Sequence, residues 1–233
     1  MRTENIGWWS VAVAVAVVVT ALSATVAWAE EARKASVEKA MEVADPDQVN
    51  PIDIKGEKYT FDFRFDTIEP LVVTNPEGEK EVYWYLVYTI TNTSSEEHNF
   101  VPAFTLYSDT ASVRRAGLHP DVFDAVKNRR KIRFLENAVK MTGKVLPGED
   151  SARTGVAIFA PLDRATDHFR IFVEGLSGEY VERPNPAATD DTPEDEKVIR
   201  LRKTLVLEYK FPGDEWWLNA DQPVFVSKTW TWR

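Results

Sequence analysis

The chain has 233 residues, 44% hydrophobic and 28% charged, a balance that excludes wholesale disorder. It contains no cysteine, which excludes disulfides, thiolate metal sites and cysteine nucleophiles. Lys and Arg number 28 against 37 Asp and Glu, and the resulting net charge of -9 argues against a general nucleic-acid binder.

Residues Ile6 to Ala29 carry no charge, and their middle is an unbroken Val/Ala run from Val11 to Val19. Arg2 precedes this run, and the triplet Ala27-Trp28-Ala29 closes it just before Glu30. A weakly positive start, an apolar middle and a small-x-small end predict a secretory signal cut after Ala29. The alternative is an uncleaved signal anchor, because a run of this length spans a bilayer. Both place the remaining chain outside the cytoplasm, in the periplasm or beyond the cell, either free or tethered through residues 6–29. Glu30 to Ala44 follows with Val37, Ala40, Met41 and Ala44 at helical spacing. It predicts a helical spacer that stops before Pro46, with a linker reaching residue 56.

At Tyr59 the period becomes two. Tyr59, Phe61, Phe63 and Phe65 alternate with polar residues through Asp66, which predicts a strand with one aromatic face. A short strand Leu71–Thr74 leads into the turn Asn75-Pro76-Glu77-Gly78. Val82–Thr91 is apolar or aromatic on both faces and predicts a central strand covered twice. Asn99–Tyr107 is expected as its hairpin partner. Pro120 and Asp121 suit the start of a helix reaching Arg130, and a second helical or irregular piece covers Phe134–Met141. Strands resume at Thr154–Phe159, His168–Glu174, Val198–Tyr209 and Val224–Trp232. Between them, Arg183–Glu196 holds three prolines and five carboxylates and reads as a surface loop. The expected architecture is mainly β: a two-sheet antiparallel sandwich over residues 57–233, with a helical insertion at about 119–141.

Two segments add a resemblance. Tyr88–Asp109 runs through an I-x-N turn to a polar S-D-T corner, and Val145–Pro161 contains L-P-G-E and G-V-A-I-F-x-P. Together with Lys203-Thr-Leu-Val-Leu-Glu-Tyr209, these segments resemble exported bacterial immunoglobulin-like β-sandwich proteins of unknown function. The resemblance implies an immunoglobulin-like fold and an exported location. It implies no catalytic residue and no cofactor. The helical insertion departs from a minimal sandwich, and the absent lipobox cysteine excludes a lipid anchor of that type.

Motifs for chemistry are sparse. His98, His119 and His168 lie far apart in sequence, so a metal site would need distant segments. Gly175-Leu-Ser-Gly178 lacks the spacing of a nucleophile elbow and reads as a turn. Asp109, Asp121 and Asp124 suit caps and solvated surface better than a calcium site. No catalytic residue, metal or cofactor is assigned.

Two features point to partners. Residues 114–144 hold nine Lys or Arg and three acids, so this stretch is +6 and the rest of the chain -15. Within it, Arg129, Arg130, Lys131 and Arg133 suit an envelope protein or an anionic surface; the bland alternative is a solvated helix balanced by acidic neighbours. Trp216, Trp217, Trp230 and Trp232 near the C-terminus either close the sandwich edge or stack on a sugar or protein. The reading is a non-enzymatic cell-envelope interaction or structural module. The alternatives are a carbohydrate-binding module using those tryptophans and a hydrolase using scattered carboxylates.

Overall fold

Aromatic alternation organises the first strands of the domain. The computed structural model describes residues 53–74, 77–212 and 222–233, so the signal, the spacer helix and the pair Trp216-Trp217 lie outside the described residues. The expected strand from Tyr59 is two strands, β1 (Ile54–Thr60) and β2 (Asp62–Phe65), in different sheets. The break falls at Phe61, whose amide donates to the Leu176 carbonyl instead of continuing a ladder. The aromatic face survives the break, because Phe61 and Phe63 are buried and Tyr59 and Phe65 pack against the same core.

The smaller sheet is built around β4 (Lys80–Thr91). On one side β2 pairs with the C-terminal half of β4, and β3 (Glu69–Thr74) pairs with the N-terminal half. On the other side lies β10 (Arg153–Phe159), followed by a parallel two-residue strand, β8 (Leu135–Glu136). The expected hairpin from β4 to 99–107 does not form. That stretch divides into β5 (His98–Phe100), paired with β9 (Gly143–Val145), and β6 (Ala103–Ser108), in the larger sheet. Pro102 sits at the division, where a missing N–H cannot feed a ladder.

The larger sheet is organised by β13 (Val198–Lys210). β11 (His168–Glu174) and β12 (Ser177–Pro184) pair with successive halves of it, and β14 (Val224–Trp232) also pairs with it. β6 and then β7 (Val113–Arg115) extend the sheet beyond β11, and β1 extends it beyond β12. β12 was not expected from the sequence, whose glycines there read as a turn. It carries the chain to Pro184, after which the acidic connection is closed by the Asn185 amide bonding to Lys197 and its side chain to Glu196.

The even residues of β4 face β6, β11 and β13 across the sandwich. Trp84, Leu86, Tyr88 and Ile90 meet Leu106, Phe169, Ile171, Leu205 and Leu207 in one core. The odd face carries Tyr85 and Val87 and is covered by helix α1 (Pro120–Arg130) through Val122 and Val126. The central strand covered twice is therefore present, with a helix as its second cover. Pro120 fills the first turn, and Lys131 ends the helix in the left-handed region at φ 53°. Burying each of the two valines stabilises by roughly 1.5–3 kcal/mol, a small apolar hold for an eleven-residue helix. The 134–141 stretch splits into β8 and the short helix α2 (Ala138–Met141), capped by Asn137 accepting from the Lys140 amide.

Candidate functional site

The basic segment separates into cations that hold the fold and cations that do not. Helix α1 ends over the β2–β3 connection, where Arg130 donates to Glu69 at 2.6 Å and also bonds Asp66. Arg129 donates to the Pro70 carbonyl at 3.2 Å and lies 3.8 Å from Glu69. For these two arginines the bland alternative holds: acidic neighbours balance them. Arg153 and Lys144 are likewise paired, with Glu136 and Glu97. Lys131 and Arg133 have no ion pair among the described residues and are exposed. They flank the turn that leads to Phe134, which is 75% exposed, and the Arg133 guanidinium sits 5.1 Å from that ring. Val139, on α2, is also exposed.

Of the C-terminal tryptophans described, Trp232 is buried at 7% exposure. Trp230 packs half-buried against the main core, with the Lys203 ammonium 5.5 Å from its ring. Both positions fit the closing of the sandwich edge, the reading weighed against a stacking platform. Asp109 accepts from the backbone amides of Asp167 and His168, so its carboxylate holds a loop. Among the described residues no three His, Asp or Glu side chains gather as a metal site. His98 stacks on Tyr59 at 3.8 Å, and His119 packs against Tyr83 at 4.9 Å.

The sequence reading missed a cleft where β1 crosses β12. Glu57, Lys58 and Tyr59 bulge out opposite Gly178, between the pairs Gly56–Glu179 and Thr60–Ser177. Gly56 adopts φ +92°, and a β-carbon there would lie 2.2 Å from the Gly178 carbonyl oxygen. A β-carbon on Gly178 would lie 2.5 Å from the Tyr59 ring. Two strands can approach this closely only because both positions are glycine. On its other side β12 pairs with β13 in unbroken register, from Tyr180–Arg202 to Pro184–Val198. Beside this bulge lies a cleft of about 370 Å³, bordered by Tyr59, Tyr180, Glu57, Glu179, Arg200 and Arg202. Gly56, Gly178 and the Arg-x-Arg spacing on β13 were the available signals, but none could be placed without strand register. A second cleft of about 400 Å³ lies between β6, β7 and β10.

Compared with known proteins, the chain matches no family model, no curated protein and no solved structure.

Proposed function

We propose that the chain is a non-enzymatic, exported interaction module of the cell envelope, an immunoglobulin-like sandwich that docks on an anionic surface through Lys131, Arg133 and Phe134. One observation carries this reading: a large aromatic side chain stands 75% exposed beside two cations that have no ion pair among the described residues. An apolar ring flanked by uncommitted charge suits an interface where part of the contact is dry and part is wet. The uncharged run Ile6–Ala29 and the Ala27-x-Ala29 triplet support export. Two facing sheets with antiparallel ladders support the immunoglobulin-like kinship.

The test is cosedimentation with phosphatidylglycerol vesicles against phosphatidylcholine vesicles. The wild-type chain should pellet with the anionic vesicles at low salt and release as salt shortens the screening length. The triple variant Lys131→Glu, Arg133→Glu, Phe134→Ser should stay in the supernatant with an unchanged melting temperature, because these side chains hold no ion pair among the described residues. Equal pelleting of wild type and variant would refute the assignment. Arg129 and Arg130 are unsuited to this test, since reversing them also breaks their links to Glu69 and Asp66.

A further inference from the structure

We infer that the cleft beside the β1–β12 bulge, bordered also by β13, binds an acidic sugar residue of the uronate class, with Arg202 taking its carboxylate. The argument begins with the charges lining the cleft. Glu57 lies 3.3 Å from His98, and Glu179 is paired with Lys203. Arg200 uses Nε to reach Glu182 at 3.3 Å and rests its guanidinium 5.2 Å from the Tyr180 ring. Arg202 has no side-chain hydrogen bond and no carboxylate partner among the described residues. The cleft therefore keeps one uncommitted guanidinium, the group best shaped to grip a planar carboxylate with two parallel bonds.

The remaining lining selects what that carboxylate is attached to. Glu57 and Glu179 repel a phosphate or a poly-acidic peptide, yet their oxygens accept from hydroxyl groups. Asn99 adds a further polar contact, and Tyr59 and Tyr180 supply apolar walls. One negative charge, several hydroxyls and an apolar ring face describe a uronate pyranose. The volume, about 370 Å³, lies within the range of small-molecule pockets, roughly 300–1,000 Å³. The cleft is built by two glycines and one ladder bulge, a use to which bulges are often put beside binding sites. This inference is independent of the Lys131–Phe134 surface, which lies on the opposite, helix-covered side of the small sheet.

The experiment is isothermal titration of the chain with galacturonate, which carries a single carboxylate, and with its methyl ester, in which that carboxylate is replaced by an uncharged ester. The free acid should bind and the ester should not. Arg202→Gln should weaken binding at least about tenfold, the change that about 1.4 kcal/mol represents, with an unchanged melting temperature. Arg202→Lys should recover part of the loss. The triple variant at Lys131, Arg133 and Phe134 should bind galacturonate like wild type. Absence of wild-type binding, equal binding of acid and ester, full binding by Arg202→Gln, or loss in the triple variant would each overturn the assignment.

Discussion

Removing an oxygen from the core should stabilise this protein. Tyr88 is 1% exposed, its ring packs among Phe63, Phe100 and Phe104, and its hydroxyl has no hydrogen-bond partner among the described residues. An unsatisfied buried hydroxyl costs about 1–3 kcal/mol relative to its hydrated state. Tyr88→Phe deletes that cost and leaves the ring in place, while losing the contacts of one atom. The net expectation is a gain of about 1 kcal/mol, which for a chain of this size raises the melting midpoint by roughly 2–4 °C. Urea unfolding followed by circular dichroism should show a higher midpoint with the same slope. Tyr209, fully buried with an equally unpartnered hydroxyl, should behave the same way as Tyr209→Phe. A Tyr88→Phe variant less stable than wild type by 1 kcal/mol or more would refute the reasoning, because it would mean the hydroxyl is well bonded in the native protein.

Three further outcomes follow from the same coordinates. Burial holds the phenols of Tyr88 and Tyr209 above their ordinary value of 10.0, and burial with the Glu69 bond pushes Tyr85 up to about 12. The unfolded chain loses these protons near pH 10 while the folded chain keeps them. Stability should therefore fall above pH 10, by up to about 1.4 kcal/mol per pH unit for each tyrosine, and denaturant midpoints that stay flat from pH 9 to 11.5 would contradict this. Gly155→Ala puts a β-carbon 2.7 Å from the Tyr88 ring and 2.9 Å from Met141, so it should cost about 1–3 kcal/mol in the same urea assay. Arg130→Ala removes that side chain's own links to Glu69 and Asp66, at a cost of about 1 kcal/mol. Hydrogen exchange should then quicken in residues 120–130 but not in β4, and uniform quickening would show that the helix does not open on its own.

The predictions at Tyr88 and Gly155 share one cause, the pairing of β4 with β10. Gly155 and Tyr88 are register partners, and the aromatic ring lies across the glycine. The sequence offered both residues but not their partnership. The same is true of Arg130: its position on a helix was legible from Pro120 and the spacing of Val122 and Val126, whereas Glu69 and Asp66 lie some sixty residues away.

Periodicity alone determined that β4 is covered on both faces, that Tyr59 to Phe65 turn inward, and that a helix interrupts the strands, because those features depend on which side chains shun water. Which strand pairs with which was decided only in the folded chain. The proline at 102, the sheet change at Phe61 and the glycine-lined slip at β12 all reroute ladders, and ladder partners are chosen by backbone groups that look alike in every residue. The division of the basic segment into anchored arginines and free cations follows from that routing, as does the cleft holding Arg202. The cleft therefore became visible only once distant strands were side by side.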